Sequence, residues 1–265
     1  MYIHTIRNKV NSNNNIVFLH GNSSSSKVFQ AAIEADLPYN MLAFDLPGHG
    51  LSEFSENIND YSFDNYKNVS LTQIKQLKGD VILVGNSLGG HIVIEIAEKV
   101  PNLKGIMIMG TAPVKSPLNL EEAITPNEAL SVFMTETPSD ADINKAMKIG
   151  TYQKKLNTLL VDDFQKTDGK IRTAIALDLI HERLGNEYKM FQQLHCPKMI
   201  IQGRQEPTVS ALYLHELAKK SNAELVYLEE CGHYPSIEQP KQFVQLLKYF
   251  SETCFNEAYH LQNAK

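Results

Sequence analysis

The chain has 265 residues, 43% hydrophobic and 21% charged, with a net charge of −5, which suits one large globular domain or one domain carrying an insertion. The mild acidity leaves no basic footprint, so neither nucleic acid nor an anionic membrane surface is expected as a partner. The three cysteines form no disulfide framework or Cys-x-x-Cys pair, Met1–Val10 lacks a signal-peptide core, and the most apolar stretch, Val81–Ala97, is broken by polar residues and glycines; a reduced, cytoplasmic protein without stable membrane insertion is expected.

In chain order, the polar run Asn11–Asn15 reads as a turn after an opening strand. Apolar runs bounded by turn residues predict buried strands at Ile16–His20, Met41–Asp45, Val81–Gly85, Gly105–Met109, Lys198–Gln202 and Glu224–Leu228. Helical patterns fall between them, at Lys27–Ala35, Asp64–Leu77, Leu88–Lys99, Val209–Lys220 and Ile237–Tyr249. This alternation implies an α/β fold with a mostly parallel, doubly wound sheet. Residues 1–111 and 196–265 are assigned to that core. From Ala112 to His195 no strand is evident. Ser139-x-x-Asp142 resembles a capping box, and Leu156, Leu160 and Phe164 recur every four residues. Residues 112–195 therefore read as a helical insertion beside the strand ends, placed to act as a lid.

The sharpest local signal is Gly85-Asn-Ser87-Leu-Gly89, preceded by an apolar strand and followed by an amphipathic helix. A strand-to-helix corner of this kind strains the central residue and projects its side chain out of the sheet, while the glycines clear the corner. Ser87 is thus the candidate nucleophile. Acyl transfer also needs two N–H donors for the developing oxyanion. One falls to Leu88; the loop His20-Gly21-Asn22 after an earlier strand offers the other, at Asn22. His20 reads as a brace for that loop, and His49 receives no catalytic role.

Three histidines follow residue 200. His215 lies in a helical pattern and His260 in the tail, and both read as surface residues. His233 follows the last strand directly, in Cys231-Gly-His233-Tyr-Pro235, and is the candidate base. The acid is assigned to Glu206, on the turn after the strand Lys198–Gln202; no Asp or Glu lies between Met107 and Leu120, after the preceding strand. Glu229 and Glu230 read as solvated loop charges. Glu206 would accept the Nδ1–H of His233 and fix its tautomer. No metal-ligand signature, dinucleotide fingerprint or Walker motif is present, so no metal and no cofactor are expected. The cysteines read as buried small hydrophobes.

His20-Gly-Asn-Ser, Asp45-Leu-Pro-Gly-His-Gly, Gly85-Asn-Ser-Leu-Gly-Gly-His91 and Cys231-Gly-His233 together resemble the lidded α/β-hydrolase superfamily along nearly the whole chain. More narrowly, His20-Gly-Asn-Ser-Ser-Ser, Gly110-Thr-Ala-Pro-Val114, Thr167-Asp-Gly169 and Gly203-Arg-Gln-Glu206-Pro are similar to the metal-independent acyl-homoserine lactonases of that fold. That resemblance implies a Glu as triad acid, carried here by Glu206, and hydrolysis of a lactone ring in a small-molecule substrate. It also implies a substrate-contacting tyrosine in the lid, for which Tyr152 and Tyr188 are the candidates. A general short-acyl esterase, a carbon–carbon hydrolase and a triad-retaining small-molecule receptor are the competing readings.

Overall fold

Along the strand Asn14–Leu19 the side chains divide by parity. Val17 and Leu19 enter one apolar cluster and Ile16 and Phe18 another, all without solvent exposure. A strand covered on both faces produces this division, because successive side chains point to opposite sides. The computed structural model describes residues 1–256; His260 lies outside the described residues.

Seven strands form one sheet: β1 (Thr5–Arg7), β2 (Asn14–Leu19), β3 (Asn40–Phe44), β4 (Asp80–Asn86), β5 (Leu103–Met109), β6 (Lys198–Gly203) and β7 (Glu224–Leu228). Their order is β1-β3-β2-β4-β5-β6-β7. Only β1 is antiparallel to its neighbour; the other pairs are parallel. Between the strands run α1 (Gln30–Ile33), α2 (Phe63–Ile74), α3 (Leu88–Ile96), α4 (Leu120–Ala123), α5 (Ala129–Val132), α6 (Asp140–Gly150), α7 (Asn157–Gln165) and α8 (Lys170–Ile180). The set is completed by α9 (Glu187–Gln193), α10 (Ala211–Ser221), α11 (Pro235–Glu238) and α12 (Pro240–Phe255). Helices α1 and α12 cover one face of the sheet, and α2, α3, α9 and α10 the other. This is the α/β-hydrolase fold. The chain leaves β2 for β3 on one side, then returns to β4 on the other. Ligands of open α/β sheets bind at such a reversal, outside the strand C-termini.

Between β5 and β6 the described residues hold helices and one isolated bridge, Ile124 to Val209. Helices α5, α6 and α7 share a small apolar cluster of their own, which Tyr234 joins. Helix α9 behaves differently: Tyr188 and Phe191 pack into the main core. Ser139 caps α6, accepting the Asp142 N–H at 3.2 Å.

Local departures from the sequence reading have physical causes. Asn14 and Asn15 belong to β2 rather than to a turn, because the Asn15 amide donates to the carbonyls of Asn13, Lys78 and Asp80 and so satisfies a buried polar group. The helix expected at Ile237–Tyr249 is two, α11 and α12, since Pro240 has no N–H with which to continue the first. Cys231 and Cys254 are buried, but Cys196 is only partly so. No helix among the described residues is long and apolar enough to cross a membrane.

Candidate active site

Strand β4 ends at Asn86 and α3 begins at Leu88, leaving Ser87 alone to turn the chain. It does so at φ 52° and ψ −120°, a region costly for any residue with a Cβ. The corner is held from both sides: the Ser87 N–H donates to the Met109 carbonyl at 2.9 Å, and its carbonyl accepts the Thr111 hydroxyl at 3.1 Å. Gly89 permits the helix to approach β2 so closely that a Cβ there would lie 2.1 Å from the Leu19 carbonyl oxygen.

The loop after β2 runs directly past Ser87; a Cβ on Gly21 would lie 3.0 Å from the Ser87 Cβ. His20 is fully buried and braces this loop. Its Nε2 accepts the Leu46 N–H at 2.9 Å, so Nδ1 carries the proton and donates to the Gly21 carbonyl at 2.8 Å. Burial pushes its pKa down, which suits this neutral tautomer. The Asn22 side chain is engaged elsewhere, donating to the Phe133 carbonyl at 2.9 Å and accepting the Ser23 hydroxyl at 3.0 Å. No hydrogen bond within the described residues engages the N–H of Asn22 or Leu88, and both residues line the cavity that Ser87 faces.

His233 donates from Nδ1 to Glu206 Oε2 at 2.7 Å. The carboxylate is nearly sealed from solvent, at 1% exposure. Its other oxygen accepts the Thr208 N–H and hydroxyl at 2.8 and 2.7 Å, so the group is held at both ends. Burial alone would raise the Glu206 pKa; His233 and the Thr208 donors outweigh it and hold it below the usual range. Burial likewise opposes a charged His233, but Glu206, with a smaller contribution from Glu238, raises its pKa above the ordinary imidazole value. The backbone fixes the ring too. The His233 N–H donates to the Gly150 carbonyl at 2.9 Å, and its carbonyl accepts the Asn86 amide at 3.1 Å. With Nδ1 committed, Nε2 is the nitrogen left for the cavity that Ser87 and His233 both line. Glu229 and Glu230 lie apart from the ring: Glu229 is exposed and paired with Arg204, and Glu230 is exposed in the loop.

The cavity has a volume of about 550 Å³ and is lined mainly by apolar side chains, among them Phe63, Leu120, Phe133, Met147, Ile175 and Leu184. Neither tyrosine proposed from the insertion reaches it, which corrects that expectation. Tyr152 is 44% exposed, and its stretch is held by its backbone, whose N–H donates to Glu238 at 2.7 Å. Tyr188 is buried between helices, its ring centroid 5.4 Å from that of Tyr213, because α9 packs on the sheet-covering helices rather than over the cavity. The tyrosine that does line the cavity is Tyr234, beside His233 and buried.

Two further features escaped the sequence reading. Glu238 is a buried carboxylate that accepts four backbone N–H groups, from Gly232 and Tyr234 on one oxygen and from Tyr152 and Gln153 on the other. It ties the His233 loop to the insertion; an acidic residue in the first turn after Tyr234-Pro235 was the available clue. His91 lines the cavity and bonds Glu187, a pairing with no signal in local sequence. Among the described residues no group of three or more His, Cys, Asp or Glu is arranged to hold a metal ion.

This site can be set beside known proteins. The structure superposes on that of N-acyl homoserine lactonase AidH, solved with N-butanoyl homoserine, with a TM-score of 0.87 and 26% identity over 96% of this chain and 94% of that one. Among sequences, Lipase 3 of Moraxella sp. is 25% identical over 89% of this chain and 77% of its own length. The pimeloyl-[acyl-carrier protein] methyl ester esterase of Nitrosomonas europaea is 24% identical over 86% of this chain and 92% of its own. The family model described as "Alpha/beta hydrolase family" matches residues 16–246, and with sheet, corner and motifs in agreement, the chain belongs to the alpha/beta hydrolase family.

Proposed function

We propose that this chain hydrolyses carboxylic esters or lactones through an acyl-enzyme on Ser87. One observation carries the reading: a cavity-facing serine held at φ 52° shares its cavity with an imidazole whose Nδ1 lies 2.7 Å from a buried carboxylate. In the first half-reaction the Ser87 Oγ attacks the carbonyl carbon and its proton passes to His233 Nε2. The Asn22 and Leu88 N–H groups receive the oxyanion. Collapse of the tetrahedral intermediate breaks the ester C–O bond, and His233 returns the proton to the leaving alkoxide; in a lactone that alcohol stays attached to the acyl group. Water, deprotonated by His233, then attacks the acyl-enzyme and frees Ser87. Glu206 keeps Nδ1 protonated and stabilises the imidazolium in both halves.

The substrate is a small molecule with an apolar chain, as the cavity lining favours. The likeness to AidH makes an N-acyl-homoserine lactone the leading specific candidate. Residues 112–195 serve as the lid, with α5, α6 and α8 contributing to the cavity lining. The chemistry requires no metal and no cofactor. A panel of acyl-homoserine lactones and p-nitrophenyl esters, run with wild type and Ser87→Ala, tests this reading. Hydrolysis in the panel should vanish in Ser87→Ala, stop with a serine-directed phosphonate and persist with a chelator. Near wild-type turnover by Ser87→Ala, or loss to chelator restored by zinc, would overturn it.

A further inference from the structure

The wall of the Ser87 cavity runs outward along three elements of the insertion. On α8 the lining starts at Ile175, which is partly buried, and ends at Ile180, which is 72% exposed. Along and just past α5 it passes from buried Ala129 to Met134, 37% exposed. At α4 it passes from partly buried Ile124 to Leu120, 38% exposed. Ser87, Gly110 and His233 belong to the sheet side of the same cavity, just beyond the ends of β4, β5 and β7. Residues that line a cavity and also face solvent frame its opening. The mouth therefore lies between the start of α4 and the ends of α5 and α8.

Single apolar side chains on a surface need no explanation, but three that converge from separate elements on one opening do. Ser131, the polar residue among the exposed lining, spends its hydroxyl on the Glu128 carbonyl at 2.8 Å. Helix α8 stays apolar beyond the mouth, with exposed Leu177 one turn before Ile180, although a surface helix ordinarily turns polar residues outward. The charged side chains within three positions of Leu120, Met134 or Ile180 are Glu121, Glu122, Glu136, Asp178, Glu182 and Arg183. Arg183 pairs with Asp178 at 3.0 Å. This acidic surround disfavours an anionic headgroup or an anionic membrane. An uncharged hydrocarbon chain suits the mouth, because it is continuous with the apolar cavity behind it.

We propose that Leu120, Met134 and Ile180 form a specificity-determining collar for the far end of a long hydrocarbon chain on the substrate. The proposal rests on the reading of Ser87 as nucleophile. With the ester group at Ser87, a short chain ends inside the cavity and a longer one reaches the mouth. Each methylene buried against the collar is worth about fourfold in affinity.

The test measures kcat/KM for p-nitrophenyl butanoate against p-nitrophenyl decanoate, and for butyl acetate against decyl acetate, all below the concentration at which the long esters aggregate. Wild type should favour the long ester of at least one pair by about tenfold or more, and that pair shows whether the chain belongs to the acyl or the alcohol part. The double variant Met134→Ser, Ile180→Ser should cut that long-to-short ratio about tenfold, the scale of losing fewer than two buried methylenes. Ile180→Phe, which keeps the apolar surface, should retain it. The short ester of each pair controls for folding, since a misfolded variant loses both esters alike. A wild-type ratio near one in both pairs overturns the proposal, as does a wild-type ratio preserved in the double variant. A double variant that keeps the ratio but falls from dimer to monomer in sedimentation would assign the collar to a second copy of the chain. If wild type hydrolyses none of the four esters, the Ser87 reading falls as well, which separates the two failures.

Discussion

Arg172 Nη1 donates to the Ser23 hydroxyl at 3.1 Å, joining α8 of the insertion to the loop that follows β2 across 149 residues of sequence. The same guanidinium donates to the carbonyls of Thr135 at 2.8 Å and Glu136 at 2.7 Å, and lies 4.2 Å from the Phe164 ring centroid. Two neighbouring contacts run in parallel: Asn22 to the Phe133 carbonyl at 2.9 Å, and the Ser25 hydroxyl to Asp163 at 2.7 Å. The segment assigned to oxyanion binding is thus fastened to the insertion at three successive points.

Arg172→Met should therefore damage stability and turnover together. It strands the Thr135 and Glu136 carbonyls and removes a donor from the Ser23 hydroxyl at a site only 4% exposed, a loss of about 3 kcal/mol. Arg172→Lys keeps the charge but not the fork, and should recover less than half of that. Urea unfolding gives the stability and ester turnover gives kcat; a Met variant with a wild-type midpoint would contradict the account.

A second expectation concerns strain at the corner. Ser87 has φ 52°, which glycine tolerates and a Cβ does not. Ser87→Gly and Ser87→Ala should both lose turnover, typically on the order of 10⁴-fold or more. Yet the Gly variant should be more stable than the Ala variant by about 1 kcal/mol, although glycine usually costs stability elsewhere. Equal or reversed midpoints in urea would mean the corner carries no strain.

The corner and the His233 loop could be read from sequence because each is a local motif: a strand, a turn and a helix within a few residues. Glu206 was legible by position, as the carboxylate on the turn after Lys198–Gly203. What stayed hidden depends on partners remote in sequence. Glu187 meets His91 across 96 residues and Arg172 meets Ser23 across 149, and no periodicity encodes such pairs. The two tyrosines were misplaced for a related reason. An amphipathic pattern gives a helix its buried stripe, but not whether that stripe meets the sheet, as in α9, or the cavity.

The pH dependence should follow from the pair. On the mechanism proposed, hydrolysis needs His233 neutral at Nε2, and Glu206 holds its pKa above the ordinary value of about 6.5. The acid limb of kcat/KM for the free enzyme should accordingly have its midpoint above that value, with activity rising as pH rises through it. Glu206→Gln removes the charge responsible, so the limb should move to lower pH while the plateau falls by up to about 10⁴-fold. Glu229→Gln and Glu230→Gln should change neither. A limb that stays in place in Glu206→Gln would assign the titration to another group.

Glu238 supplies the last prediction, because its role is to position and not to react. Its two oxygens accept N–H groups from Gly232, Tyr234, Tyr152 and Gln153 at 2.7 to 3.1 Å, and it is only 4% exposed. Replacing it by Gln leaves one oxygen as acceptor and turns an NH₂ toward two backbone donors. Stability should fall by about 2–4 kcal/mol, the scale for groups left buried without partners. The 2.7 Å contact between His233 and Glu206 is not made by Glu238, so that pair itself remains. The loop that carries His233 nevertheless loses its tie to the insertion, and kcat should fall about tenfold or more with a smaller change in KM. Because Glu238 also helps raise the His233 pKa, the acid limb should shift slightly downward, in the same direction as in Glu206→Gln but by less. A Glu238→Gln enzyme with lowered stability, unchanged kcat and an unmoved limb would reduce this carboxylate to a fastening of the fold alone.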